Sequence, residues 1–315
     1  MHLIIPYAAS PALGPTALSG LQLPHLQALL QGLSSVRVLD AHEPPAPHLA
    51  HEQVLAQSLG WAEDGPWPWA AWHSARQGHT DTPPQAWLTP CHWQVGMDQV
   101  VLIDPSALHL SDAESQALMT AVQPLLQEDG LELRWQDALH WHARGEALQA
   151  FATASLDRVI GQNLRHWLPQ GPTASTLSRL QSEVQMLLYH HPVNEARESR
   201  RQLTVNAFWL HGAGRFPSES LSEHPATAPD MPMALRESAR RGDAAAWQAT
   251  WHTLDQTAVA ALRAHWQRTG EATLSLCSED RAHTFEARPL PWHQRLKRRL
   301  QPLRVADTLQ ALITP

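Results

Sequence analysis

The sequence predicts an α/β fold with a mostly parallel sheet, helices on both faces of that sheet and a small α+β insert. Three observations support this prediction. The N-terminal part alternates strand, helix and strand at 2–6, 17–32 and 36–39. Residues 177–188 carry leucine and valine at helical spacing, and 204–210 are rich in β-branched and aromatic residues. Strands that alternate with helices are typical of a parallel sheet covered by helices.

Composition and charge limit the classes of protein that fit the chain. The 315 residues are 43% hydrophobic and 17% charged, which predicts one large or two modest globular domains. A net charge of −7 makes a general nucleic-acid surface unexpected. Cys91 and Cys277 predict neither a disulfide framework nor a zinc site. The first ten residues lack a basic n-region and no segment reaches the length of a membrane span, so we expect a soluble cytoplasmic protein without a membrane partner.

The first half of the chain contains two segments that differ in regularity. Residues 51–59 predict a short helix ending at Gly60, whereas four tryptophans between Trp61 and Trp72 alternate with prolines. Residues 74–90 are predicted as a loop. The next elements are a strand at 99–103, a helix from the capping box of Ser111 and Glu114 to Gln127, and strands at 131–135 and 139–143. We interpret 97–150 as a small inserted lobe over a core formed by 1–96 and 151–315.

The second half is organised around residues 177–217. Pro192 is expected to stop the helix 177–188, because proline disfavours the helical conformation of the residue before it. The strand 204–210 is expected to end in a glycine turn at Gly212 and Gly214. The remaining predicted elements are a helix from Asp243 to Arg268 ended by Gly270, strands at 272–277 and 283–288, and a basic helix at 292–300.

A family resemblance rests on residues 190–217. HPVNEAR, VNAFWLHGAG and the following FP resemble the central signature of archaeal-type cofactor-independent phosphoglycerate mutases. Residues 160–163 and 167–171 resemble that family's approach to the signature. The whole chain is more similar to a bacterial offshoot, the regulator-of-pathogenicity-factors type E family. This resemblance implies an alkaline-phosphatase-like α/β domain with an inserted cap.

The same resemblance implies positions for a two-metal site, and the chain departs from all of them. The family's Asp-Gly after the first strand corresponds here to Pro6 and Tyr7, and the serine nucleophile to a position at or near His51. The late Asp-His pair resembles Glu279, Asp280 and Arg281 here, with the histidine lost or displaced to His283. We therefore predict no catalytic residues, no metal and no cofactor, in a degenerate mutase-like protein with a regulatory or binding role. The alternative is an active 2,3-bisphosphoglycerate-independent phosphoglycerate mutase or a metal-dependent phosphatase.

The signature also provides a cluster of polar candidate site residues. In one interpretation they form a pocket for an anionic small molecule, with Arg197 as the fork that binds phosphate or carboxylate. In the other they form a buried hydrogen-bond network, in which Asn194 bonds the backbone of its own turn and Arg197 bonds a carboxylate or carbonyl of another segment. The cluster comprises His190, His191, Asn194, Arg197, Asn206, His211 and Arg215.

Three further patterns give weaker indications. His140 and His142 alternate on a predicted strand, a spacing compatible with a metal but more typical of ordinary strand histidines. The segment Trp61–Trp72 could form an aromatic binding face for a protein partner or a sugar, and with a protein partner the chain would be an interaction module. The basic residues near the C-terminus predict a solvated helix face, with an acidic partner or nucleic acid as the alternative; they are Arg295, Lys297, Arg298, Arg299 and Arg304.

Overall fold

The structure is a computed structural model, and it describes residues 1–14, 16–40, 45–62, 65–79, 83–168, 174–216, 228–288 and 303–314. It divides into two compact units. The first unit combines Met1–Glu63 with Ala226–Pro315, and the second is Asp64–Pro225. Within the described ranges, every helix is too short or too polar to cross a lipid bilayer. The predicted basic helix at 292–300 lies outside the described residues.

Both units are mixed α/β structures. The strands are β1 (His2–Ile5), β2 (Ser34–Leu39), β3 (Gln85–Val95), β4 (Val100–Ile103), β5 (Glu132–Asp137), β6 (His140–Arg144), β7 (Ala207–Gly214), β8 (Thr273–Cys277) and β9 (Ala282–Glu286). The helices are α1 (Pro24–Gly32), α2 (Ala50–Ser58), α3 (Trp69–Arg76), α4 (Asp112–Glu128), α5 (Leu156–Val159), α6 (Ala174–Tyr189), α7 (Pro192–Ser199), α8 (Arg236–Arg241), α9 (Ala244–Leu254), α10 (Ala260–Thr269) and α11 (Val305–Gln310).

The sheet of the first unit has the strand order β1-β8-β9-β2. β1 pairs in parallel with β8, whereas β8 pairs with β9 and β9 with β2 in antiparallel fashion. The prediction of strands at 2–6, 36–39 and 272–277 in one sheet is therefore confirmed. The prediction of a mostly parallel sheet holds only for the pair β1 and β8, because the short hairpin between β8 and β9 reverses the chain direction.

Helix α1 is shorter than the predicted helix at 17–32 because it begins at Pro24, where the fixed φ of proline suits a first helical position. Its first amides are capped from elsewhere in the unit. The Asp255 carboxylate accepts hydrogen bonds from the backbone N–H groups of His25 at 3.2 Å and Leu26 at 2.8 Å. Asp255 is fully buried and opens the π-helical turn Asp255–Val259 that joins α9 to α10.

The predicted helix from Asp243 to Arg268 is confirmed, with that π-helical turn inside it. Asp243 caps α9 by accepting from the Ala246 N–H at 3.0 Å, and Gly270 ends α10 with φ at +78°. Trp247 and Trp251 are fully buried. Their indole N–H groups donate to the carbonyl oxygens of Tyr7 and Ala8 at 3.0 and 3.2 Å, which fixes the chain at the end of β1.

The second unit is built on a five-stranded antiparallel sheet with β3 at its centre. β3 pairs with β6 and β7 along its first half and with β4 at its end, and β5 pairs with β6. One face carries Leu88, Trp141 and Leu133, which belong to the buried core shared with α4 and α6. The capping box that starts α4 is confirmed, because the Ser111 Oγ accepts from the Glu114 N–H at 3.3 Å.

This sheet differs from the predicted organisation in three respects. Residues 97–150 do not form a lobe of their own, since β4, β5 and β6 share the sheet with β3 and β7, and the compact unit extends over 64–225. The predicted loop at 74–90 contains the first part of β3 and the end of α3. In addition, the strand predicted at 204–210 is observed at Ala207–Gly214 and belongs to this sheet, not to the sheet of β1.

Gly212 lies inside β7 and permits close packing of α3. Its φ is +63°, and a Cβ atom there would lie 3.2 Å from Trp69 Cβ and 3.3 Å from Trp87 Cε3. The glycine is thus needed for a close approach within a strand and not for the terminal turn that was predicted. The tryptophan-rich segment contributes to packing here, since Trp67 and Trp69 are buried.

Candidate functional site

The buried guanidinium of Arg197 is the centre of the signature region. Its Nε donates to the Leu203 carbonyl oxygen at 2.7 Å, one Nη to Glu114 Oε2 at 3.1 Å and the other Nη to the Leu108 carbonyl oxygen. The side chain has no exposed surface. The prediction that Arg197 bonds a carboxylate or carbonyl of another segment is confirmed. We name Arg197, Glu114 and these two carbonyl groups the Arg197 cluster.

Glu114 has several roles in this cluster. Its other carboxylate oxygen accepts from Arg200 Nη2 at 2.7 Å, and Oε2 also accepts from the Ser111 N–H and hydroxyl. Partial burial acts to raise the pKa of Glu114, but the bonds from Ser111 and the charge of Arg197 outweigh it and hold the pKa below its ordinary value. The carboxylate is therefore ionised at neutral pH and matches the charge of the arginine.

The two asparagines of the signature bond backbone groups. Asn194 is buried, and its amide donates to the carbonyl oxygens of Leu188 and Val205 at 2.8 and 2.7 Å while accepting from the Val205 N–H at 2.9 Å. Asn194 bonds backbone groups as predicted, but the prediction that they belong to its own turn is wrong, because Leu188 lies in α6 and Val205 lies beyond the end of α7. The residue itself lies in α7 and not in a loop. Asn206 joins the start of β7 to β3, through bonds of 2.7 and 3.0 Å with the backbone of Trp93.

The remaining signature residues lie in different surroundings. His191 is the N-cap of α7, and His190 is exposed beside Tyr189. Arg215 pairs with Glu146 at 2.9 Å. His211 is packed beside Trp87, with a bond of 3.0 Å between its Nε2 and Thr89 Oγ1, and burial lowers its pKa to about 3. The seven predicted residues thus contact separate segments and do not converge on one open pocket.

The position that resembles the first metal ligand lies at the end of β1 in the first unit. Tyr7 occupies it, with no exposed surface and with φ at 54°. Its ring lies 5.6 Å from the ring of His51, at the position that resembles the nucleophile. A left-handed backbone at a bulky residue is strained and persists only where the surroundings impose it. The contacts of Trp247 and Trp251 with this turn are such surroundings.

The late motif lies close to the same turn. The hydroxyl of Ser10 donates to Glu279 Oε1 at 3.3 Å, and Arg281 Nε lies 3.9 Å from Asp40 Oδ1. In the part of the chain that the structure describes, no three His, Cys, Asp or Glu side chains are grouped as a metal site. The residues at the family's ligand positions, Tyr7 and Arg281, also lack the donor chemistry that a divalent cation requires. The positions that resemble the family's ligands thus hold one carboxylate, Asp280, and two residues, Tyr7 and Arg281, that differ from the expected carboxylate and imidazole.

An open cavity of about 210 Å³ lies on the other face of the second unit's sheet. Its lining comes from α3, from the segment after α3 and from strands β5 and β6. The charged and titratable lining residues are His73, His79, Arg134, His142 and Arg144. We name this site the cationic cavity.

The sequence analysis did not identify the cationic cavity. The alternation of His140 and His142 was recognised, but His140 pairs with Asp137 at 2.8 Å and does not line the cavity. The sequence signal that could have found the cavity was the same alternation extended by two residues, which places Arg144 on the same face of β6 as His142. Arg134 could not be found in this way, because its position opposite His142 follows only from the register of β5 against β6.

Comparisons with known proteins indicate a distant relationship to phosphoglycerate mutase. No family model matches the chain. The chain is 25% identical over 211 residues to a probable 2,3-bisphosphoglycerate-independent phosphoglycerate mutase of Geobacter sulfurreducens. The alignment includes 65% of this chain and 52% of that protein, so the chain spans about half the length of this curated relative.

Two solved structures are also similar over nearly the full chain. The cofactor-independent phosphoglycerate mutase of Thermoplasma acidophilum is 14% identical with a TM-score of 0.36, over 100% of this chain and 99% of that one. The PH0037 protein of Pyrococcus horikoshii is 12% identical with a TM-score of 0.46, over 99% and 96% of the two chains.

Proposed function

We propose that the chain is a degenerate relative of cofactor-independent phosphoglycerate mutase, which binds an anionic small molecule or a protein partner in a regulatory role and has no mutase turnover. The fold that we propose for the related part is alkaline-phosphatase-like. The signature at 190–217 supports the relationship to the mutases, and the resemblance of the whole chain to the regulator-of-pathogenicity-factors type E family supports the regulatory role.

One observation carries the proposed loss of turnover. Tyr7 is buried against His51 at the position where the family resemblance expects a metal-binding carboxylate. A tyrosine there replaces the carboxylate that the family resemblance expects to hold a divalent ion. Metal-assisted phosphoryl transfer needs that ion to neutralise charge on the transferring group. The residues at this turn therefore favour a binding protein over an enzyme of the mutase or phosphatase class.

The proposal is tested with purified full-length protein. We expect no conversion of 3-phosphoglycerate and no hydrolysis of a generic phosphate ester, with manganese added and without it. Metal analysis of protein purified without chelator is expected to give less than one equivalent per chain. The activity of any trace mutase from the expression host is measured in a parallel preparation from cells with the empty vector.

Manganese-dependent turnover would contradict the proposal. Turnover that depends on manganese, disappears with a chelator and falls in the variants Ser10→Ala and Glu279→Gln would show an active mutase or phosphatase. In that case the ligands lie at positions other than those that resemble the family's. Turnover that is equal in wild type, both variants and the empty-vector preparation comes from the host.

A further inference from the structure

Within the described residues, the lining of the cationic cavity carries positive charge and no carboxylate. Two arginines and three histidines line it. The nearby Asp137 is bonded to His140 at 2.8 Å, and Glu132 lies opposite Arg144 in the register of β5 and β6 without lining the cavity. The guanidinium groups of Arg134 and Arg144 share this small space and repel one another, which costs free energy unless an anion is present.

The sheet register shows why these groups meet. On the face opposite the hydrophobic core, Arg134 of β5, His142 of β6, Trp87 of β3 and His211 of β7 form one row across four strands. Side chains directly opposite each other on neighbouring strands are about 5 Å apart at Cβ, and like charges at this distance are destabilising. The position of Arg134 opposite His142 is therefore unfavourable for two cations.

Two buried polar atoms of the cavity lining lack hydrogen-bond partners within the described residues. They are His142 Nε2 and Arg144 Nε. Buried polar atoms in folded proteins almost always have a partner, so unpaired donors at one place call for an explanation. An acceptor that binds in the cavity provides one.

The protonation state of His142 is consistent with an anion that binds in the cavity. Burial, and then the charges of Arg144, Arg134, His73 and His79, lower the pKa of His142 to about 4. The imidazole is thus neutral at pH 7, and either of its nitrogens can carry the single proton. An anion in the cavity offsets the neighbouring guanidinium charges and thereby favours the protonated, doubly donating form.

We propose that the cationic cavity binds a tetrahedral oxyanion, either a free phosphate or sulfate ion or the corresponding group of a small molecule. This inference deepens the ligand-binding part of the proposed function. Arginine guanidinium groups match the oxygens of phosphate and sulfate, and donors from α3, β5 and β6 suit an anion that presents oxygens in several directions. A volume of about 210 Å³ admits a small group and not a nucleotide-sized ligand.

The test measures binding to the full-length chain by calorimetry at constant ionic strength, with inorganic phosphate, sulfate and acetate as probes. We expect saturable binding of phosphate and sulfate and at least tenfold weaker binding of planar, singly charged acetate. Arg134→Gln and Arg144→Gln are expected to weaken phosphate binding by about tenfold or more each, the effect of losing one charge-assisted contact. Arg134 is exposed, so its variant is expected to remain folded.

Arg165→Gln provides the matched control, because Arg165 is exposed in the same unit, does not line the cavity and carries the same charge. We expect it to bind phosphate like wild type. Equal loss in Arg134→Gln and Arg165→Gln would indicate general charge screening and would overturn the proposal, as would the absence of phosphate and sulfate binding to wild type. If wild type converts 3-phosphoglycerate while Arg134→Gln and Arg144→Gln weaken phosphate binding as expected, only the proposed loss of turnover is refuted. The two proposals can therefore fail separately.

A proton readout separates a direct contact from a structural effect. In full-length protein, NMR titration of the imidazole nitrogens is expected to show the pKa of His142 rising by at least one unit when phosphate is saturating. His191, which caps α7 and does not line the cavity, serves as the internal reference. An unchanged titration of His142 in the presence of bound phosphate would place the anion elsewhere and would overturn the assignment to this cavity.

Discussion

The Arg197 cluster and the cationic cavity each place arginine donors in the same unit, and they differ in how these donors are used. All three donor nitrogens of Arg197 have partners: a carboxylate and two carbonyl groups. In the cavity, Arg144 Nε and His142 Nε2 have no partner within the described residues. The first arrangement is complete in the protein alone, whereas the second is completed by an added acceptor. Burial of an arginine therefore does not by itself identify a ligand site. What identifies it is whether the donor nitrogens already have hydrogen-bond partners in the protein.

The largest effect expected from this comparison follows removal of the satisfied arginine. Arg197→Ala is expected to lower the free energy of unfolding by about 3 kcal/mol, because Glu114 and two carbonyl groups lose their donor in a buried place. Urea denaturation followed by circular dichroism measures this change. Phosphate binding to folded Arg197→Ala should equal that of wild type. A variant as stable as wild type that no longer binds phosphate would show that Arg197, and not the cavity, holds the anion.

A change of pH is expected to give an effect on stability of intermediate size, which comes from buried histidines. The pKa values of His142 and His211 are about 4 and about 3 in the folded protein and 6.5 ordinarily, so the unfolded chain binds more protons below pH 6.5. Their contribution to stability is therefore complete above pH 6.5 and decreases as the pH falls towards 4. His2 in the first unit, with a pKa lowered to about 4, acts in the same direction.

Thermal melts between pH 7.5 and 4.5 measure how stability depends on pH. In His142→Asn the melting temperature is expected to fall less steeply with decreasing pH than in wild type. Glu114 titrates below this window because its pKa is lowered. The pKa of His73 is also lowered, by burial and by the charges of Arg76 and His140, so this residue likewise decreases stability as the pH falls. A melting temperature that stays constant down to pH 4.5 in wild type would contradict the burial of His142 and His211 as neutral rings.

The smallest effect is expected at Arg200, which shares Glu114 with Arg197. Its Nη2 lies 2.7 Å from Glu114 Oε1, but 54% of its side chain is exposed. Exposed ion pairs contribute less than about 1 kcal/mol, so Arg200→Ala should destabilise by no more than that. The ratio of the effects of Arg197→Ala and Arg200→Ala measures how much burial adds to one carboxylate–guanidinium pair. Equal effects would mean that Arg197 is not buried as described.

The sequence predicted the elements whose local signals agree with their surroundings. The capping box of Ser111 and Glu114, the cap at Asp243 and the strand at 272–277 were recognised from spacing and residue type alone, and the structure confirms them. The bonding of Arg197 to a carboxylate and carbonyl groups was also predicted, because a buried polar residue must find partners. For Asn194 the bonding to backbone was predicted, but its partners Leu188 and Val205 lie outside its own turn. These features depend on contacts within a few residues or on a general rule of satisfaction.

The parts that were missed depend on tertiary contacts. β3 is the central strand of its sheet, yet Pro90 and the polar residues Gln85 and Thr89 made its first half resemble a loop. Pro192 was interpreted only as the end of one helix, although proline is equally suited to the first position of the next, here α7. The cavity joins α3 to β5 and β6, and its charge is visible only when the register of the sheet is known.

The pairing of β1 with β8 has a consequence for the order in which the chain is made. His2 pairs with Thr273, whereas the unit Asp64–Pro225 is continuous in sequence. During synthesis, the sheet around β3 has all its strands before the partner of β1 has been translated. Domains generally fold as units while the chain emerges, and pairing over such a distance is slow. The apolar strand Leu3–Ile5 must therefore remain unpaired with β8 through most of translation, and we expect nascent chains shorter than about 280 residues to bind chaperones through it.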